Sequence, residues 1–307
     1  MKYTLSLLML SVALQLSASS ITSPSGELSL NVDVNPEGQP YYSLSYKGKT
    51  IVEPSKLGLK ADETSFIDGF TIAGIDTVTV DRSWEPVWGE YSSIRDHFRE
   101  LAVNLKAPKT DAQPERELTV RFRLFDDGLG FRYELPVQNG PNYLTVKDEL
   151  TEFNFNGNHK LYCIPGDYDT DEYLFSETTF TDLPEALGKY HRHSEAQRTG
   201  GTTIQTPMLM KTDDGVYVNL HEAALIGYPA MLLDVDTENF DMKSHLVPDR
   251  LGVSAYLQMP FNTPWRTIIV SDDARDILAS QLVCSGADIR TAVPRCPMAG
   301  SGTGQGF

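Results

Sequence analysis

Cysteine is scarce, with three residues in a chain of 307. Cys163, Cys284 and Cys296 cannot supply the paired framework of a small disulfide scaffold. Cys163 sits in the apolar run LYCIP and is expected to be a buried packing thiol. A Cys284–Cys296 bridge has no motif behind it. Basic clusters are also missing. The net charge is −16 with the basic residues scattered, which excludes an ordinary nucleic-acid binder. The same balance disfavours anionic lipid and suits a neutral substrate or a cation. Beyond the first twenty residues no stretch is long and apolar enough to span a bilayer as a helix. There is no Gly-rich nucleotide loop, no G-x-S-x-G elbow, no H-E-x-x-H and no paired-Cys motif. No set of residues is self-sufficient for catalysis.

What is present is globular in balance: 40% apolar and 22% charged residues. The length allows one large all-β domain or two ordinary ones. Lys2, the apolar run Leu5–Leu16 and the small residues Ser17–Ser20 together read as a signal peptide over 1–20. Export is therefore expected, most simply to the periplasm. No Cys stands at the cleavage region, so a lipid anchor is not suggested.

Apolar residues recur with period two through most of the chain. In ELTVRFRLF (117–125), Leu118, Val120, Phe122 and Leu124 face one way and Thr119, Arg121 and Arg123 the other. Asp127–Gly128 then signals a hairpin into FRYELP (131–136). Further strands are expected at 28–35, 41–48, 77–81, 101–107, 159–165, 207–213, 216–223, 231–236, 252–259 and 265–271. Helical pattern is scarce and clearest at 272–282, with Ser271 as its expected N-cap. The segment 177–204 breaks the alternation and reads as a long irregular loop. The residues after about 280 are rich in Gly, Pro and Ser and read as a disordered or non-native tail, 281–307. The expected fold is mostly β: a large antiparallel β-super-sandwich with a long irregular loop and a short helix.

Three polar groups invite a chemical reading. GDYDTDEY (166–173) carries Asp167, Asp169, Asp171 and Glu172, oxygen donors of the kind hard cations take. The spacing is not that of an EF-hand, and a solvated acidic loop has the same composition. His221 and Glu222 are neighbours on a strand, so they point to opposite faces and make a poor acid/base couple. The expectation there is a strand end with one polar residue exposed. In WEPVWGEYSSIRDHFRE (84–100), Trp84 and Trp88 either stack on sugar rings or fill core, and Arg95, Asp96 and His97 read as a local ion-pair cluster.

Taken together, VWGE (87–90), RFRLFDDGLGFRYELP (121–136), IPGDYDTDEY (164–173), MKTDDGVYVNLHEAAL (210–225) and NTPWRTIIVSDDARDILAS (262–280) resemble the N-terminal domain of glycoside hydrolase family 97. The resemblance runs from about residue 21 to about 280. It implies an exported bacterial α-glycosidase, an α-glucosidase or α-galactosidase, built from an N-terminal β-super-sandwich, a central β/α barrel and a small C-terminal β domain. It implies a calcium ion shared with the barrel, held mostly by barrel glutamates, with Glu172 as the ligand from this domain. It further implies substrate contacts near His191, Arg192, His193 and Ser194, toward an α-linked oligosaccharide. The barrel, with its catalytic carboxylates, would follow residue 280, where this chain instead enters its Gly/Pro-rich tail. Glycoside hydrolysis needs two flanking carboxylates, so the chain alone is expected to be inactive. The alternative reading is a stand-alone carbohydrate-binding module, which needs aromatic side chains exposed on one sheet face.

Overall fold

The computed structural model describes residues 19–86, 89–190 and 199–286. The described chain opens with β1 (Ser19–Thr22), β2 (Leu28–Val34), β3 (Pro40–Tyr46), β4 (Lys49–Lys56), β5 (Leu59–Ala61) and β6 (Ser65–Phe66). Two long strands follow, β7 (Thr71–Trp84) and β8 (Ile94–Ala107), then β9 (Arg116–Phe125) and β10 (Gly128–Leu135). Next come β11 (Tyr143–Glu149), β12 (Glu152–Asn154), β13 (Lys160–Cys163), β14 (Ser176–Thr179) and the helix α1 (Leu183–Gly188). The last part holds β15 (Thr203–Gln205), β16 (Met208–Lys211), β17 (Tyr217–Ala223), β18 (Met231–Asp236), β19 (Asp241–Leu246), β20 (Ala255–Gln258), β21 (Phe261–Asn262) and β22 (Trp265–Ser271). Helices α2 (Ala274–Ala279) and α3 (Leu282–Gly286) close it.

These strands form three antiparallel sheets. One runs β1-β2-β3-β4-β12-β19-β18-β15, a second β14-β13-β16-β17-β22-β10-β9-β8-β7, and a third β20-β11-β5-β6. Alternation explains the packing. Leu28, Leu30, Tyr42 and Leu44 of the first sheet, Val103, Val120, Phe122 and Phe131 of the second, and Leu59, Leu144 and Val146 of the third belong to one buried cluster. Tyr42 lies 5.0 Å from the Phe131 ring and 6.3 Å from Phe122, so the two large sheets meet face to face. Each fully buried Leu or Phe contributes about 1.5–3 kcal/mol. The β-super-sandwich expected from the alternation is what forms.

The details shift in several places. The β9–β10 turn falls on Asp126–Asp127, and Gly128 is already in β10, opposite Ile269 of β22. A Cβ at Gly128 would lie 2.3 Å from the Ile268 carbonyl oxygen and 2.8 Å from Leu282 Cδ1. Gly128→Ala is expected to cost about 1–3 kcal/mol, read as a lower urea midpoint at unchanged m-value. The strands expected at 77–81 and 101–107 are parts of one long hairpin, β7–β8, paired from Thr71↔Lys106 to Trp84↔Ile94. The helix start moves from Ser271 to Asp273, whose carboxylate accepts from the Arg275 amide; Ser271 Oγ donates instead to Asp276. The segment expected as irregular holds β14, α1 and β15. Order also continues past 280: α3 covers the outer face of the second sheet, and Leu282 is buried with Phe98, Phe125 and Ile269. Cys163 is buried as expected, and burial pushes its thiol up to about 12.

Candidate functional site

The loop between β13 and β14 carries the acidic motif. It is pinned from inside by Asp167, which is buried. One Asp167 oxygen accepts from the Asp169 amide at 2.9 Å and the Thr170 amide at 3.3 Å; the other accepts from Tyr173 Oη at 2.7 Å. Gln205 Nε2 donates to the carbonyls of Pro165 and Thr170 at 3.0 and 2.8 Å, tying both ends of the turn to β15. Gly166 is required for this approach, because a Cβ there would lie 2.6 Å from Thr199 Oγ1 and 2.8 Å from Thr203 Cγ2.

A relay of side chains holds the outer part of the loop. Tyr168 stacks on His245, with ring centroids 5.7 Å apart. Its hydroxyl lies 2.7 Å from His245 Nε2, His245 Nδ1 lies 2.9 Å from Asp234, and Thr203 donates to the other Asp234 oxygen at 2.5 Å. Burial and the nearby Asp234 charge raise the Tyr168 hydroxyl above the ordinary phenol range. Burial opposes ionisation of Asp234, yet the bonds from His245 and Thr203 outweigh it and hold the carboxyl below the ordinary range.

Of the four carboxylates in the motif, Asp167 is thus consumed by the loop itself. Asp169, Asp171 and Glu172 are exposed, and the Glu172 amide donates to Thr170 Oγ1. The neighbours Leu174 and Phe175 are 85% and 59% exposed. Among the described residues no group of three or more His, Cys, Asp or Glu is placed to hold a metal. Glu172 therefore stands as a single exposed carboxylate, and the described residues by themselves assemble no cation site. His191, Arg192, His193 and Ser194 lie outside the described residues, as do Trp88 and Cys296.

Trp84 is half-buried, and its Nε1 donates to Asp96 at 2.9 Å. Arg95, Asp96 and His97 do not pair with one another. Arg95 grips Asp81 through two bonds of 2.8 Å across the β7–β8 hairpin, Asp96 takes Arg82 at 3.1 Å, and His97 stands 3.9 Å from Asp126. Strand alternation explains this, since cross-strand neighbours share a face and adjacent residues do not.

The expectation at His221–Glu222 is corrected. The two do point apart, but Glu222 turns into the core and is 8% exposed. There it meets Arg266, which is 1% exposed and donates to Glu222 at 2.6 Å and to both oxygens of Glu149 at 2.9 and 2.8 Å. Tyr228 and Thr151 complete the shell of Glu149 at 3.0 and 2.8 Å. Burial opposes ionisation of Glu149, but the Arg266 charge and these bonds prevail, so its carboxyl sits below the ordinary glutamate range. Burial raises the Glu222 carboxyl above that range despite Arg266. The cluster is closed to solvent, so its role is in the fold.

The described residues thus form an antiparallel β-sandwich of three sheets, the class of domain that the following match assigns to the N-terminus of a glycoside hydrolase family. Residues 21–287 match the family model described as glycosyl-hydrolase 97 N-terminal, and the chain belongs to that family. It is 23% identical over 288 residues to a retaining alpha-galactosidase of Bacteroides thetaiotaomicron, covering 85% of this chain and 40% of the relative. A glycoside hydrolase family 97 enzyme from Pseudoalteromonas sp. strain K8, solved with acarbose, superposes with a TM-score of 0.75 at 31% identity. That match covers 86% of this chain and 37% of the enzyme. A beta-arabinopyranosidase crystal structure gives a TM-score of 0.70 at 25% identity, covering 83% of this chain and 40% of that one. The chain thus spans about two fifths of the relatives it matches.

Proposed function

We propose that this chain is the non-catalytic partner face of an exported, periplasmic α-glycosidase of the α-glucosidase/α-galactosidase type. In this reading it packs on a catalytic barrel, lends Glu172 to a calcium ion shared with that barrel, and helps contact an α-linked oligosaccharide through the His191–Ser194 segment. The observation that carries the reading is the Glu172 loop. Its inside is fixed by Asp167, Gln205 and the Tyr168–His245–Asp234 relay, while its outside offers a carboxylate beside two exposed apolar side chains. Leu174 and Phe175 held in water are a cost that a docked surface removes. A cation bound at Glu172 would supply fixed positive charge to the shared site. The chain's own part is to orient the carboxylate and present the apolar rim.

Hydrolysis itself falls to groups this domain does not offer. The purified 307-residue chain is expected to release no product from aryl α-glucosides or α-galactosides beyond a Glu172→Ala control. Turnover that the wild-type chain shows and the control lacks would overturn this assignment.

A further inference from the structure

The third sheet, β20-β11-β5-β6, has one face in the core: Leu59, Phe66, Leu144, Val146 and Leu257 are at most 1% exposed. Its other face is open. The register sets Thr145 opposite Tyr256 and Tyr143 opposite Gln258, so alternation sends all four side chains outward together. Tyr143 is 65% exposed and Tyr256 63%. Asp249 accepts from Tyr256 Oη at 3.0 Å and from the amides of Leu251 and Val253 at 2.8 and 2.9 Å, which fixes that ring on a braced turn.

Charge on this face is largely matched within it. Lys147 pairs with Asp62 at 3.2 Å, and Glu63 accepts from both the amide and the hydroxyl of Thr145 at 2.8 Å. Asp249 is occupied as described; among the described residues Lys60 on β5 and Arg250 on the adjoining turn are the cations outside these pairs. Such a surface offers flat aromatic rings and short hydrogen-bonding groups without a strong field. It complements a ligand that is neutral, hydroxyl-rich and apolar on its ring faces. A stable protein partner needs on the order of 800 Å² per side with an apolar centre; here polar Thr145 and Gln258 lie between the rings. Tyrosine brings a large apolar face with a polar edge at low entropic cost.

We propose that the outer face of this sheet is a saccharide-binding surface, taking a neutral oligosaccharide by stacking on Tyr143 and Tyr256, with Thr145 and Gln258 beside the rings for hydroxyl contacts. It lies on different strands from the Glu172 loop. The sequence pointed instead to Trp84 and Trp88 as sugar-stacking candidates, and Trp84 is tied to Asp96. The proposal stands on this face alone; only the expectation that the ligand is α-linked rests on the function proposed above.

The test is a titration of the full chain, labelled with 3-fluorotyrosine, with maltoheptaose, followed by fluorine NMR. The Tyr143 and Tyr256 resonances, assigned by single Tyr→Phe variants, are expected to shift saturably. Tyr143→Ala, which removes no described hydrogen bond, is expected to weaken binding about tenfold at unchanged thermal midpoint. The Tyr143→Ala/Tyr256→Ala double variant is expected to abolish it. The same titration of the wild-type chain with and without calcium should give equal affinity, so failure of the calcium reading leaves this one standing. Absence of a saturable shift at those two resonances would overturn the proposal. So would binding that survives the double variant, or a wild-type dimer in sedimentation that the double variant dissolves, which would give the face to a second copy.

Discussion

Arg266→Met is expected to lower the unfolding free energy by about 3–5 kcal/mol, the usual cost of breaking a buried ion pair by removing one partner. The reason is what remains. Glu149 is 0% exposed and Glu222 8%, and without the guanidinium each is a buried carboxylate lacking its cation. Domains of this kind are stable by about 5–15 kcal/mol, so the loss is a large share of the whole. Urea unfolding followed by fluorescence measures it. Adding Glu149→Gln and Glu222→Gln should recover part of the loss, because the stranded charge is then gone. A cost below about 1 kcal/mol, within the range of an exposed ion pair, would refute the argument. Acid provides an independent check. The Glu149 carboxyl is held below its ordinary range, so its contribution is present above that range and is lost as the pH falls from there through the lowered folded value. In Arg266→Met the largest cause of the lowering is absent and only the Thr151 and Tyr228 bonds still oppose burial, so the acid-dependent contribution of Glu149 shrinks.

That cluster also marks where sequence reasoning stops. Arg266 stands in WRTIIVS, a run that reads as a buried strand, and it is one: all seven residues of β22 are buried. Alternation even places Arg266 on the same side as Ile268 and Val270. What no local pattern contains is its partners, since Glu149 is 117 residues away and Glu222 is 44. A lone arginine facing inward among isoleucines is the signal that was there to be followed. It demands a buried acid somewhere, without saying which.

Strands rich in apolar residues were legible nearly to the residue. β18 and β22 fall at 231–236 and 265–271, where their apolar runs place them. β7 was not, because it is an edge strand and most of its residues are exposed, so only TVTVD within it shows a pattern. Hydrogen bonding to β8 defines it instead, and that is invisible in composition. The acidic loop shows the same division. Its carboxylates are plain in GDYDTDEY, but their roles differ by contact: Asp167 turns inward to bind its own backbone, and Glu172 is left outside. The relay that steadies the loop joins Tyr168 to His245 and Asp234, 77 and 66 residues further on, where nothing nearby suggests a site.

The second large effect concerns Glu172. If this domain completes a calcium site on another one, the right molecule to measure is the joined protein. This chain can be fused to the part of the Pseudoalteromonas enzyme that lies outside the 37% it matches at 31% identity. Removing an outer partner of a metal ligand costs about 10–100-fold in affinity, and a direct ligand should cost no less. Calcium titration of the fusion, wild type against Glu172→Gln, decides the matter most directly. The variant is expected to bind calcium more weakly by about tenfold or more, with the thermal midpoint of the calcium-free protein unchanged because Glu172 is exposed. Equal affinity in the two proteins would show that the loop contributes no ligand, and would contradict the role assigned to this domain.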